Sequence, residues 1–429
     1  MAKDQVIVGI DIGSSKIATI IAQLVRDSPP NVMGVSQVPS RGIRKSQVVD
    51  IEEAVLAISE SLEAAERMAG YSVNRALVLI SGVHIECQNS KGVVAVATSG
   101  SEITSDDVTR VIEAARAISL PSSKEIIHVI PRHFIVDGQT GVRDPVGMTG
   151  VRLEVDTHII TGAATSLRNI AKCVQEVGVD VEGLIFSGLA AAQSVLTETE
   201  KELGVVLVDM GAGTTTISVF VEGALSHSAV LPVGARNITN DLAIGLRVSL
   251  ETAEKIKLAL SVPSKTVVRP EGQEEEQQTK EEKDEDVLNL AELGVGDEVK
   301  KASKKTLVEG IAKPRIKEII NMVKMEIVRS GFGGLTPAGV VLTGGGAQTL
   351  GIVEIAKHEL AMPVRAGSPQ GATGLIDEIS TPQFAATLGL ILYGAQLTEE
   401  GQARLPLVGR VEIKGLVGKG VDWIKSLLP

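Results

Sequence analysis

The chain has 429 residues, room for several domains at roughly 150 residues each and for a large buried core. Apolar residues make up 44%, charged residues 22% and aromatics only 2%, which excludes disordered, collagen-like and coiled-coil compositions and leaves an aliphatic-rich α/β type. The 42 Lys and Arg against 53 Asp and Glu leave a net charge of −11, which opposes nucleic-acid binding.

Met1 to Asp4 run straight into a strand pattern at residues 5–10, with no secretory signal ahead of it. No stretch of about 18 apolar residues occurs, so no transmembrane helix is expected. Cys87 and Cys173 form no CxxC or Cys/His ligand spacing, so a reducing, cytoplasmic compartment is expected, without a zinc site or disulfide framework. The first strand ends in Asp11-Ile12-Gly13-Ser14-Ser15-Lys16 and residues 17–25 read as strand again, which predicts a hairpin with a small, hydroxyl-rich turn. Glycine lets backbone N–H groups converge on a phosphate, the hydroxyls add donors, and Lys16 adds a point charge. Asp11 at the strand end suits Mg²⁺ held mostly through water.

Further along, residues 77–82 and 159–162 are strand-then-glycine edges that bracket a segment 83–160. Within it, 105–120 reads as an amphipathic helix with Asp106 and Asp107 in its first turn. The hairpin phrase then returns. Val205 to Val208 lead into Asp209-Met210-Gly211-Ala212-Gly213-Thr214-Thr215-Thr216 and a strand at 217–221. Two copies in matching contexts predict two related α/β lobes facing one another, with a phosphate chain between the turns and Asp209 as a second cation ligand.

A helix at 249–260 places Glu254 and Lys257 three apart on one face. Residues 271–286 carry nine acidic and two basic side chains, a self-repelling run expected to be a disordered loop. The helix beyond, 311–329, is apolar at Ile316, Ile319, Ile320, Val323 and Ile327 and cationic at Lys313, Arg315, Lys317 and Lys324. A buried-strand signal at 339–342 opens into Thr343-Gly344-Gly345-Gly346-Ala347 and a helix at 349–360, a turn that suits close approach to a nucleotide. Residues 388–394 are expected to close the second lobe. The chain ends in a short amphipathic helix at 416–428, apolar at Val417, Val421, Ile424, Leu427 and Leu428, with Trp423 beside them and Lys419 and Lys425 on the flanks. That pattern suits a lipid interface.

The order of these pieces resembles the actin, Hsp70 and sugar-kinase superfamily: two phosphate turns, a Glu-x-x-Lys helix, then a Thr-Gly-Gly-Gly-Ala adenosine turn. Within it, His128-Val129-Ile130-Pro131-Arg132, Val136-Asp137-Gly138-Gln139 and Asp144-Pro145-Val146-Gly147-Met148-Thr149-Gly150-Val151-Arg152-Leu153-Glu154 are similar to the inserted subdomain of the FtsA family of bacterial cell-division proteins. Ser187-Gly188-Leu189-Ala190 and Lys313-Pro314-Arg315-Ile316-Lys317-Glu318-Ile319 also look like that family. The resemblance implies a two-lobed, actin-like fold with ribonuclease H-like lobes and an FtsA-type insert. On that template 1–82 begins the first lobe and 83–160 is the insert. Residues 161–234 and 330–395 form the second-lobe core, with 161–200 crossing between lobes. Residues 235–329 form the outer second-lobe subdomain, with the acidic loop within 262–305; 396–415 is linker and 416–429 the membrane helix.

The same resemblance implies ATP or ADP with Mg²⁺ on the turns and Glu254 and Lys257, filament formation with other copies, and contacts of the insert with later division proteins. It implies that the C-terminal peptide of the tubulin-like FtsZ binds beside Lys313 and Arg315, and that Val421, Trp423, Ile424, Lys425, Leu427 and Leu428 anchor the chain to the cytoplasmic face of the membrane. Where Hsp70-like and bacterial actin-like relatives place a water-positioning Glu, this sequence has Ser187. General-base help is typically worth about 10²–10⁴-fold, so slow or negligible turnover is expected, with Gln193 the nearest substitute. A pilus-assembly relative of FtsA is the nearest alternative, and the tail and the Gly147 to Leu153 phrase favour FtsA. An Hsp70-like chaperone would need a further peptide-binding domain, and a sugar kinase a catalytic Asp facing a sugar cleft.

Overall fold

A computed structural model describes residues 5–96, 102–261, 287–289 and 301–401. The expected acidic loop at 271–286 and the membrane helix at 416–428 lie outside the described residues.

Two sheets share one topology. In the first lobe the strand order is Asp180–Phe186, Arg75–Ile80, Gln5–Ile12, Lys16–Leu24, Asn31–Pro39 and the short Thr373–Gly374. In the second it is Ala224–Leu231, Thr215–Val221, Val205–Met210, Val340–Thr343 and Val364–Ala366. Each sheet thus has a three-stranded antiparallel meander whose first strand pairs in parallel with a later strand. The recurring sequence phrase is the first hairpin of each meander. Its strands are near-continuous runs of Val and Ile because both faces of each sheet are covered.

The Ile51–Ala69 helix lies on one face of the first sheet. It starts where Asp50 accepts from the Glu53 N–H and stops at Gly70, whose φ of 62° is the left-handed helix cap. The opposite face is covered by the Ala385–Gly401 helix, which buries Leu388, Leu390 and Ile391 there. It crosses the Ser187–Val195 helix so closely that a Cβ on Gly389 would stand 1.9 Å from the Ala190 carbonyl oxygen. This corrects one expected boundary. Residues 388–394 close the first lobe, not the second, while the 161–200 region leaves the first sheet, where the Asp180–Phe186 strand pairs with Arg75–Ile80, and its Ser187–Val195 helix packs against the second sheet. A periodicity of apolar residues says that a helix has a buried face without saying which sheet receives it.

The insert is a four-stranded antiparallel sheet, ordered Glu86–Ala95, Arg152–Ala163, Lys124–Val136 and Gln139–Val142. The Ser105–Arg116 helix packs on it over a separate small core of Val108, Val111, Ile112, Phe134, Leu153 and Val155. Thr104 and Asp107 form a reciprocal capping box at the helix start, and Gly92 lets the strand approach so closely that a Cβ would meet the Val111 carbonyl at 2.2 Å.

The insert also meets the outer strand of the second lobe. Asn89 donates to the Ser226 carbonyl at 3.3 Å, Arg132 to the Ser226 hydroxyl at 3.0 Å, and His158 Nε2 lies 3.0 Å from Ser228 Oγ. Burial pushes His158 down to about 3, helped by the nearby His227, Arg132 and His128, so the ring is neutral at pH 7. Since Asn89 donates its amide to Ser226, its carbonyl accepts from His158 Nδ1 at 2.7 Å, and His158 Nε2 is left to accept from Ser228.

Candidate functional site

Both phosphate-type turns close in the same way. Gly13 N–H donates to the Lys16 carbonyl at 3.0 Å, and Gly211 N–H to the Thr214 carbonyl at 2.9 Å. The second turn is braced from outside: its Gly211 and Ala212 carbonyls accept from the Ala235 and Arg236 N–H groups at 2.9 Å, opening the Ala235–Leu246 helix. Gly234 permits that contact, because a Cβ there would stand 2.5 Å from the Gly211 oxygen.

The turns of the two lobes touch. A Cβ on Gly213 would lie 2.8 Å from Ser14 Oγ, and both Ser14 and Thr214 are buried. Asp11 accepts a hydrogen bond from Thr387 at 3.1 Å. Burial raises the Asp11 carboxyl above its ordinary value, and burial together with the Asp11 charge raises Asp209 to about 7. Burial also lowers Lys16 to about 8, against the pull of both carboxylates; its ammonium sits 3.8 Å over the Phe384 ring. Two partly buried carboxylates, with the charge of Asp11 disfavouring that of Asp209 and one lysine coupled to both, are the donor type a hard divalent cation prefers.

The glycine turn at 344–346 abuts the second hairpin. Gly344 has φ +81°, and a Cβ on it would lie 2.2 Å from Asp209 Oδ1. A Cβ on Gly346 would strike Met210, whereas one on Gly345 would meet only Gln383 at 3.9 Å. Gly344 and Gly346 are therefore required by packing, and Gly345 alone opens outward. The turn forms a 3₁₀ segment, Gly345–Gln348, and the α-helix expected at 349–360 is Ile352–Leu360.

Glu254 and Lys257 stand on the Leu250–Ser261 helix and bond each other at 2.8 Å. Both also bond Thr239, at 2.5 and 3.1 Å. They form an internal cluster with the neighbouring helix. Ser187 is buried, with its hydroxyl 3.4 Å from Thr216, which in turn lies 3.1 Å from Ser81. No carboxylate is among these contacts. Gln193 accepts from Gln396 at 3.3 Å.

A family model described as the SHS2 domain inserted in FtsA matches residues 82–161, and one described as cell division protein FtsA matches residues 206–389. The chain is 38% identical over 399 residues to the cell division protein FtsA of Pseudomonas aeruginosa, covering 93% of this chain and 91% of that one. The chain belongs to the FtsA family. It is also 34% identical to FtsA of Escherichia coli K12, over 99% of this chain and 96% of the relative. Among solved structures, the PilM-PilN type IV pilus biogenesis complex matches with a TM-score of 0.61 at 14% identity, covering 90% of this chain and 98% of that one. MreB5 of Spiroplasma citri bound to ADP matches with a TM-score of 0.53 at 12% identity, over 93% and 99%. Those two show the actin-like fold. The pilus-assembly alternative shares the architecture, and the sequence identity lies with FtsA.

In this FtsA-family chain both cations expected at a peptide groove are already paired. Lys313 bonds Glu309 at 2.7 Å, and Arg315 grips Asp241 in two contacts of 2.5 and 3.1 Å and also bonds Glu318. Arg315 thereby ties the Lys313–Ser330 helix to the Ala235–Leu246 helix. Among the described residues no helix is long and apolar enough to cross a membrane. Sequence reasoning did not single out Ser46, Ser81, Thr216 or Thr387, all of which border the turns. Ser46 had no signal, because a Lys-Ser tip does not read as a hairpin turn; Thr216 lay within the quoted phrase.

Proposed function

We propose that this chain is an actin-like cell-division protein that binds ATP or ADP with Mg²⁺ between its lobes. It polymerises on the cytoplasmic face of the membrane and tethers FtsZ filaments there, recruiting later division proteins. The observation that carries the nucleotide reading is the pair of matched hairpins bearing Asp11 and Asp209, both partly buried, each coupled electrostatically to Lys16. The residues proposed to hold the nucleotide are Gly13, Ser14, Ser15, Lys16, Gly211, Ala212, Gly213, Thr214 and Thr215 at the phosphates. Glu254, Lys257, Gly344, Gly345 and Gly346 complete the set, and Asp11 and Asp209 hold the metal through water.

An MreB relative of the same fold has been solved with ADP, which supports this assignment. The cluster of Ser187, Thr216 and Ser81 provides no carboxylate to orient water, which supports slow turnover. The FtsZ peptide is placed at the Lys313–Ser330 helix and the lipid contact at the amphipathic pattern of 416–428. The test is sedimentation with anionic liposomes, with and without Mg-ATP and an FtsZ tail peptide. Co-sedimentation that Trp423→Glu abolishes, with nucleotide binding kept, supports the tether; equal sedimentation of both proteins refutes it. A melting temperature unmoved by Mg-ATP refutes the nucleotide site.

A further inference from the structure

Between the two turns stands a feature that the nucleotide assignment does not use. Residues Ile43–Arg44 and Gln47–Val48 pair as a minimal hairpin. At its tip both Lys45 (φ +48°) and Ser46 (φ +59°) occupy the left-handed region, where two-residue turns ordinarily carry Asn and Gly. Such a backbone persists only where its surroundings fix it, and it concentrates at functional sites.

The surroundings do fix it. At the base, Val49 and Asp50 N–H both donate to the Gly42 carbonyl, at 2.8 and 3.2 Å. Gly42 lies so close to the start of the Ile51–Ala69 helix that a Cβ would stand 2.3 Å from the Asp50 oxygen. At the tip, Ser46 N–H donates to Ser14 Oγ at 2.8 Å, and the Ser46 hydroxyl lies 3.3 Å from Thr214 Oγ1. Ser14, Ser46 and Thr214 are only 8%, 9% and 6% exposed. The missing side chain of Gly213 makes the room, since a Cβ there would also lie 3.2 Å from Lys45 Cα. One residue thus contacts the turn of each lobe.

What converges here is three hydroxyls and a backbone N–H, joined to one another by neutral bonds. A phosphate oxygen accepting from the same donors makes charge-assisted bonds roughly twice as strong. A phosphate lying against one turn alone does not meet Ser46; one that bridges Ser14 and Thr214 does. Resting on the nucleotide site proposed above, we propose that Ser46 is a third phosphate ligand, engaged by the terminal phosphate alone, which makes the site distinguish a nucleoside triphosphate from a diphosphate.

The test is calorimetric titration of the full chain with ADP and with a non-hydrolysable ATP analogue, each with Mg²⁺. Ser46→Gly suits a φ of +59°, keeps the N–H and removes only the hydroxyl, so its unfolding temperature should not fall. We expect it to weaken the triphosphate analogue about five- to tenfold, the loss of one hydrogen bond, and ADP less than twofold. An equal effect on both nucleotides, or none on either, overturns the role of Ser46. Wild-type protein that binds neither nucleotide overturns the site itself, and the role of Ser46 with it, so the two failures are told apart.

Discussion

Acidification should loosen the seam between the insert and the rest of the molecule through two histidines. His158 is held at about 3 and His128 at about 4, both mainly by burial. The ordinary value is 6.5, so the folded state binds fewer protons than the unfolded one. Stability is therefore full above pH 6.5 and falls as pH drops toward 4 and then 3. At pH 5 each ring has lost about 1.5 pH units' worth, or roughly 2 kcal/mol, and the two together up to about 4. Against a total stability of about 5–15 kcal/mol this is a large fraction.

The geometry gives each ring a specific loss. His128 Nε2 accepts from the Phe186 N–H at 3.0 Å, immediately before Ser187, and a protonated ring cannot accept. The charged or titratable neighbours of His158 are Arg132, His128 and His227, and His227 itself bonds Glu326 at 2.9 Å. The Asp209 carboxyl, raised to about 7, titrates in the opposite sense, so the measurement is a difference between proteins. Urea unfolding of wild type and His158→Gln at pH 7 and pH 5 should show the variant losing about 2 kcal/mol less on acidification. Equal losses, within about 0.5 kcal/mol, would refute the assignment of a buried neutral imidazole to this seam.

Asp209→Asn should raise the stability of the nucleotide-free protein at pH 8, since a carboxyl raised from 3.8 to about 7 lowers stability as pH climbs through that window. The gain is of the order of 4 kcal/mol at most. Thermal unfolding at pH 5 and 8 checks it, and a lower melting temperature in the variant at pH 8 counts against it. Gly344→Ala should destabilise by at least about 2 kcal/mol, because it combines strain at φ +81° with a Cβ 2.2 Å from Asp209 Oδ1. Gly345→Val, facing outward, should leave the unfolding temperature near wild type and remove the shift caused by Mg-ATP. Arg315→Ala breaks the forked contact with Asp241, both side chains about three-quarters buried, and should cost roughly 1 kcal/mol. Anisotropy with a labelled FtsZ tail peptide should fall in the same variant, and unchanged peptide binding would assign Arg315 to helix tethering alone.

The architecture was legible where local pattern and repetition coincide. Asp11 to Lys16 and Asp209 to Thr216 each predict a hairpin, and the two strand orders show why the phrase recurs: both open the same meander. The insert was legible because its 128–154 phrase is specific to one family. What pattern could not supply was partnership across long separations. The Thr387 to Asp11 bond joins residues 376 apart, and nothing in the local sequence of the Ala385–Gly401 helix says that it covers the first sheet. Lys313 and Arg315 read correctly as cationic, yet their partners Glu309 and Asp241 turn them into internal ties. The Glu254 and Lys257 spacing read as a pair, and the third member, Thr239, lay on a different helix.

One continuous hairpin links the candidate site to the insert. Thr214 and Thr216 stand at the cleft end of the Thr215–Val221 strand, and that strand pairs along its length with Ala224–Leu231. The latter strand carries Ser226 and Ser228, to which Asn89, Arg132 and His158 of the insert are bonded. A sheet pair of this kind moves as a rigid unit. A rotation of the second lobe that separates Thr214 from Ser46 therefore has to be absorbed at the seam, where these hydrogen bonds, worth about 1 kcal/mol each, resist it together with the Cys87–His227 contact at 3.8 Å and the Arg143–Glu202 ion pair. Those hydrogen bonds are polar and rest on serine hydroxyls and carbonyls, which re-pair with small shifts more readily than an interdigitated apolar core does. The insert keeps its own core in Val111, Phe134 and Leu153, while Ile85, Ile127 and Ile160 join the apolar cluster that also takes in Leu207, Phe220 and Leu225 of the second lobe.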